Sequence, residues 1–270
     1  MNLKSYTDSP EIKHAQLAEM DFRVRKEDYR FYQDLEVPCY QSDNRTALKP
    51  SSFMDMAQEI AYWAAQDLGF GYDTLHIHHT AWVLSRMHLH FVKMPLWRDV
   101  VRLYTWHKGA NGLFYLRDFE LKDADGEVLA TATSSWVVID ERTRRFVRPE
   151  DIDSYLRQDY EVADAIAEPA PKIVFPKDGD QVPAGEHTVA FSDVDLIGHT
   201  NNARYMDWAM DCLPYELVST RPVRDAWINF NRETTPGTSV QLFRMQTGPD
   251  QWFVEGRVDG KSCFTVRLDF

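Results

Sequence analysis

The chain holds 270 residues, 44% apolar and 27% charged, and 30 basic against 42 acidic side chains give a net charge of −12. That composition excludes disordered, collagen-like and disulfide-stapled chains, and an acidic surface that repels phosphate argues against a general nucleic-acid binder. No apolar run approaches the ~20 residues that cross a bilayer. The first residues lack the apolar stretch of a secretory signal. Three cysteines without CxxC spacing, Cys39, Cys212 and Cys263, fit buried thiols in a reducing compartment and no metal site.

In chain order, the first strong pattern is helical. Phe53, Met56, Ala57, Ile60, Ala61 and Ala64 form one stripe, which predicts a helix over about residues 51–68 with Ser51 or Ser52 as N-cap after Pro50. Ala81-Trp82-Val83 then opens strand-like sequence. The Asp123–Gly126 segment, DADG, is a hairpin turn between alternating runs. A basic run, Arg142, Arg144, Arg145 and Arg148, follows a strand ending near Ile139. Residues 160–180, with Pro169, Pro171 and Pro176, have linker composition. Beyond them the pattern recurs. Tyr205, Trp208, Ala209 and Cys212 predict a helix over about residues 201–217, Ala226-Trp227-Ile228 opens strands, and Asp259-Gly260 marks a second hairpin.

The chain is therefore one unit written twice, each copy a long helix with antiparallel strands to wrap it, an α+β architecture whose two sheets can pair edge to edge. The chemistry-bearing groups are not shared equally. Phe191–Trp208, reading FSDVDLIGHTNNARYMDW, places Asp193, Asp195 and His199 just before the second helix, where Asn201 or Asn202 caps it. Free N–H groups at such a helix start can polarise a carbonyl. The corresponding first-half loop, residues 41–50, keeps Asp43 but has no histidine. Six residues beyond the repeated tryptophans stand His88 in the first half and Glu233 in the second. Acid and base groups thus gather in the second copy and leave the first free to line a pocket. The absence of GxSxG and HExxH motifs gives no support to serine-hydrolase or zinc-protease chemistry. His76, His78 and His79 are read as a loop or pocket edge rather than metal ligands.

Several of these segments resemble the acyl-ACP thioesterases, a double hot-dog family of plastids and bacteria. In the first half they are AWVLSRMHL from Ala81, WRDVV from Trp97, YTW from Tyr104 and LRDF from Leu116; in the second, SDVDLIGHTNNARY from Ser192. The resemblance implies a tandem hot-dog, with an N-terminal acyl-binding unit over 1–160, a linker over 161–180 and a catalytic unit over 181–270. It implies hydrolysis of fatty acyl-ACP to free fatty acid, without cofactor or metal. Asp195, His199 and Glu233 match the family's Asp, His and Glu. Ile197 stands where the family has Asn, so that role is lost or falls to Asn201 or Asn202. Thr234 replaces the cysteine of plant members, so no thiol nucleophile carries over. Asp193 aligns with the carboxylate of single hot-dog thioesterases and is kept as a second candidate.

The chemistry needs a carboxylate, Asp195 or Glu233, to activate water or attack directly, with His199 to orient it and N–H donors near Asn201 and Asn202 for the developing oxyanion. Met54, Met56, Ala57, Ile60, Ala61 and Trp82 are expected to line the acyl chain. The acidic carrier is expected to dock on Arg142, Arg144, Arg145 and Arg148, with Lys93, Arg98 and Arg102 as a looser alternative. The expected protein is a cytoplasmic monomer or homodimer that acts on neither nucleic acid nor membrane. A mature plastid form would look alike. Acyl-CoA hydrolysis, a hot-dog dehydratase and a non-catalytic acyl-binding protein are the alternatives.

Overall fold

The computed structural model describes residues 24–147 and 162–270. Its centre is an antiparallel sheet of twelve strands, in the order β1-β2-β4-β5-β6-β3-β9-β12-β11-β10-β8, with β7 added on β6. The first half supplies β1 (Arg25–Glu27), β2 (Arg30–Glu36), β3 (Thr80–Phe91), β4 (Val100–Asn111), β5 (Phe114–Asp123), β6 (Val128–Asp140) and β7 (Phe146–Val147). The second supplies β8 (Val182–Thr188), β9 (Asp225–Phe230), β10 (Ser239–Gly248), β11 (Gln251–Val258) and β12 (Lys261–Asp269). Both predicted Asp-Gly hairpins form, between β5 and β6 and between β11 and β12. The halves join at β3 and β9, whose register runs from Arg86↔Asn229 to His90↔Asp225. At this seam the Asp225 carboxylate accepts from His88 (3.0 Å) and His90 (2.8 Å), and His88 stacks on Trp227. Continuous pairing here removes two edges that would otherwise present unpaired backbone groups.

Helix α1 (Pro50–Asp67) lies along the concave face of the sheet and buries the predicted stripe. Phe53 and Ile60 are fully enclosed, and such side chains contribute about 1.5–3 kcal/mol each on leaving water. The N-cap is Lys49, two residues ahead of the first serine expected to cap the helix. Pro50 occupies the first turn, where its fixed φ suits the helix and its missing N–H costs nothing, and Ser51 and Ser52 are buried within that turn. A short helix, α2 (Tyr72–Ile77), follows it.

The second predicted helix is two. α3 (Asn202–Asp211) stops before Leu213-Pro214, and α4 (Tyr215–Thr220) restarts beyond, because Pro214 has no N–H to continue the first. Asn201 caps α3 as expected, its side chain accepting from the Ala203 N–H at 2.8 Å. α1 and α3 pack together, pinned by Arg204–Asp55 at 2.7 Å. One large apolar core runs through both halves, and a smaller cluster gathers around Tyr115 and Val138.

The described part of the linker, residues 162–180, does not hang free. The Trp106 indole donates to Ala163 O (2.8 Å), and Lys108 donates to Ile166 O (2.6 Å) while pairing with Asp118 and Asp164. Asn229 holds both Pro171 O and the Ile173 N–H. The proline-rich segment is thus a strap on the outer face of the sheet.

Candidate active site

The two turns before α1 and α3 have the same construction. In the second, Asp195 Oδ1 accepts from the Ile197 N–H (3.0 Å) and the His199 N–H (3.2 Å), the Asp195 N–H donates to His199 O (2.8 Å), and Gly198 takes a positive φ of 85°. A residue without Cβ suits that left-handed position. The turn places His199 just ahead of the start of α3.

Glu233 reaches the same place from the loop after β9. Its neighbour Thr234 is tied to the end of the Asp195 turn by buried hydrogen bonds. The Thr200 N–H donates to Thr234 O (2.9 Å), the two hydroxyls lie 2.7 Å apart, and Tyr205 Oη bonds both the Thr234 hydroxyl (2.8 Å) and its N–H (3.2 Å). Locking Thr200 to Thr234 sets the preceding residues side by side: His199 Nδ1 is 3.8 Å from Glu233 Oε1. The other Glu233 oxygen accepts from Arg144, on the turn between β6 and β7 in the first half. Arg144 holds a positive φ of 57°, and the Asp140 carboxylate fixes that turn by accepting from the Arg142 and Thr143 N–H groups.

These groups stand on a cleft of about 1150 Å³. One wall carries Asp195, Ile197, His199, Asn202 and Glu233 from the second half. The opposite wall and floor come from the first, with Ala61, Tyr62 and Ala65 of α1 and Trp82, Tyr115 and Trp136 of the sheet. The cleft therefore brings Asp195, His199, Glu233, Asn202, Ala61 and Trp82 together, as expected from the sequence.

Other expected residues lie elsewhere. Met54, Met56, Ala57 and Ile60 do not line the cleft; they belong to the buried core under α1, and of that stripe Ala61, itself a core residue, also lines the cleft. Asp193 is buried away from it, its Oδ2 accepting from the His187 ring (2.8 Å) and the Ala190 N–H (2.7 Å). Burial works to raise the Asp193 carboxyl, yet these two donors hold it below the usual carboxylate value. The Asn201 side chain is spent on the cap and its N–H on Asp193 O (2.8 Å), which leaves Asn202 as the donor on the cleft wall at the start of α3. Of the basic run, Arg144 is committed to Glu233, Arg142 and Arg145 are exposed beside it, and Arg148 lies outside the described residues.

Several groups here were not singled out from the sequence. Arg144 as the partner of Glu233 carries no local signal, since the two are 89 positions apart. His107 and Arg117 line the cleft floor although they sit in strands that otherwise read as core. Tyr205, read from the sequence only as part of the helix stripe, carried a usable signal, as a buried aromatic with a polar tip that needs a partner. His76 stacks on Tyr72 at the cleft edge, and among the described residues no three His, Cys, Asp or Glu side chains gather as metal ligands.

Residues 28–155 match the model of the acyl-ACP thioesterase N-terminal domain, and residues 177–259 that of the acyl-ACP thioesterase C-terminal domain. The chain is 29% identical over 249 residues to the chloroplastic oleoyl-acyl carrier protein thioesterase 2 of Arabidopsis thaliana, covering 85% of this chain and 66% of that protein. It is 27% identical over 241 residues to the chloroplastic palmitoyl-acyl carrier protein thioesterase of the same plant, covering 84% and 58%. The chain thus spans about six-tenths of the length of these relatives. Its fold matches that of an acyl-ACP thioesterase from Bacteroides thetaiotaomicron with a TM-score of 0.79 at 24% identity, over 92% of this chain and 100% of that one. It matches the 12:0-ACP thioesterase of Umbellularia californica at 0.77 and 20% identity, over 91% and 98%. The α+β sheet with its two wrapped helices is a double hot-dog, and the chain belongs to the acyl-ACP thioesterase family.

Proposed function

We propose that this protein hydrolyses fatty acyl-ACP thioesters, releasing free fatty acid and the carrier thiol. The observation that carries the reading is the His199–Glu233 pair at 3.8 Å on the rim of a cleft whose other walls are largely apolar. A thioester carbonyl seated beside them meets a carboxylate and an imidazole that can take a proton from water. The water oxygen adds to the carbonyl carbon, the carbon–sulfur bond breaks, and the proton taken from water passes to the departing thiolate. Asp195 shapes the turn that aims His199, and Asn202, on the cleft lining at the start of α3, is the candidate donor to the developing oxyanion.

In this reading the unit over residues 1–160 holds the acyl chain and the unit over 181–270 supplies the acid and base groups, with the described linker residues 162–180 strapped against the sheet between them. The tandem already provides a pair of hot-dog units, so a monomer suffices and a homodimer is not needed for the site. Arg142 and Arg145, on the rim next to Arg144, suit an acidic carrier protein. Cys39, Cys212 and Cys263 are free thiols, the first exposed rather than buried as the sequence suggested, and free thiols suit a reducing compartment such as the cytoplasm. No helix among the described residues is long and apolar enough to cross a membrane. The test is incubation of the purified chain with matched panels of acyl-ACPs and acyl-CoAs, scoring thiol and free acid. Turnover of acyl-ACP is expected to exceed that of acyl-CoA; cleavage of neither would overturn the reading.

A further inference from the structure

The concave face of the sheet carries one polar row across its floor. His107 on β4 stands opposite Arg117 on β5, and Arg117 opposite Ser134 on β6. His107 and Arg117 both line the cleft, and each is only 6% exposed. Arg117 Nη1 donates to Thr105 Oγ1 at 3.2 Å, and that hydroxyl donates onward to Asp118 O. Ser134 Oγ donates to Arg117 O and accepts from the Trp136 indole. A guanidinium has five N–H donors, so one hydroxyl leaves most of its capacity unanswered.

The electrostatics agree with the geometry. Burial brings Arg117 down to about 10, with no carboxylate among the described residues to offset it, so it stays charged at neutral pH. Burial, helped by the Arg117 charge, brings His107 down to about 4, so it is neutral there. A hydrocarbon chain laid across this row would strip water from a cation and give no acceptor in return. A chain bearing oxygen would supply one.

The row is also remote from the chemistry. Ser134 lies six residues before Asp140, the end of β6 from which the Arg144 turn reaches Glu233, or about 20 Å along the strand. We propose that Arg117 and His107 form a subsite for an oxygen function on the distal part of the acyl chain, so that the cleft prefers oxygen-bearing acyl groups to plain hydrocarbon ones of the same length. This rests on the thioesterase reading above, since it places the thioester at His199 and Glu233.

The experiment compares three acyl-ACPs of equal chain length, one saturated, one hydroxylated near the methyl end and one hydroxylated at carbon 3. The distal hydroxyl is expected to raise kcat/KM about tenfold over the saturated chain, the scale of a hydrogen bond to a charged group. The carbon-3 hydroxyl should bring no such gain, and Arg117→Met should collapse the distal preference. A wild-type ratio near one would overturn the proposal, whether or not Arg117→Met folds. The same ratio is read from the Kd values of the corresponding free acids by tryptophan fluorescence, since Trp82 and Trp136 line the cleft. If no thioester is cleaved, the thioesterase reading has failed, and equal Kd values for distal-hydroxy and saturated acids would sink the subsite separately.

Discussion

Asp43 and Asp195 occupy the same turn in the two halves of the chain. Asp43 Oδ1 accepts from the Arg45 and Ala47 N–H groups at 2.8 and 3.0 Å, as Asp195 Oδ1 does from those of Ile197 and His199. Thr46 takes the positive φ that Gly198 takes, and isolated bridges Ser42↔Leu48 and Val194↔Thr200 close both turns. Ala47 stands where His199 stands. A carboxylate serving an identical structural purpose in the half without the acid–base pair has a turn-forming role before any catalytic one.

Replacing either aspartate with alanine is therefore expected to lower stability by about 1 kcal/mol, as for the loss of a cap. Only Asp195→Ala should also cut turnover, because only that turn aims a histidine. Urea melts and acyl-ACP assays on both variants check this. Equal turnover in Asp43→Ala and Asp195→Ala would remove Asp195 from the site.

Glu233→Gln and His199→Ala should each slow hydrolysis by about 10²–10⁴, with little change in melting temperature. The double variant should lose scarcely more than the worse single one, since the two act as a unit. Fully additive losses in kcat/KM would mean that the 3.8 Å pairing has no functional consequence.

Arg144 and its neighbours should separate by substrate. The Arg144–Glu233 pair is half-exposed, so Arg144→Ala should cost about 1 kcal/mol or less, up to about fivefold in rate. That loss should be the same on acyl-ACP and on a small acyl thioester without carrier. Arg142→Glu with Arg145→Glu should raise KM for acyl-ACP alone and flatten its salt dependence. A carrier-only effect of Arg144→Ala would return it to the docking surface.

Two alanines one turn apart on α1 should respond differently to filling. Ala61 lines the cleft, so Ala61→Phe should shift preference toward shorter acyl chains. Ala57 is in the packed core, so Ala57→Phe should instead destabilise by about 1–3 kcal/mol through overpacking. Chain-length profiles and thermal melts distinguish the outcomes.

His107 should make the protein acid-sensitive. Its folded pKa, lowered by burial to about 4, lies below the 6.5 of an unfolded imidazole. Between those values the unfolded chain binds a proton that the folded one refuses, so stability falls as pH drops from about 6.5 to about 4 and levels off below. The loss from this group is at most about 3 kcal/mol. Asp225, whose carboxyl burial tends to raise but the His88 and His90 hydrogen bonds hold well below its usual value, adds a further loss only as pH falls below about 3.8. His107→Gln should flatten the upper window alone in pH-dependent urea melts.

Much of this was legible in the sequence. Helix stripes, Asp-Gly hairpins and the doubling of the unit are encoded in local spacing, and so is the loop that carries Asp195 and His199 into the start of α3. The tertiary structure decided what depends on pairing across the chain. The β3–β9 register and the Thr200–Thr234 bonds set His199 beside Glu233, and the β6–β7 turn delivers Arg144 to it from the other half. The same packing withdrew Asp193 to His187, kept Ala57 off the cleft while placing the likewise buried Ala61 on its lining, and laid His107 and Arg117 across its floor. A strand's alternation says which residues share a face, but only the strand laid beside it says what that face meets.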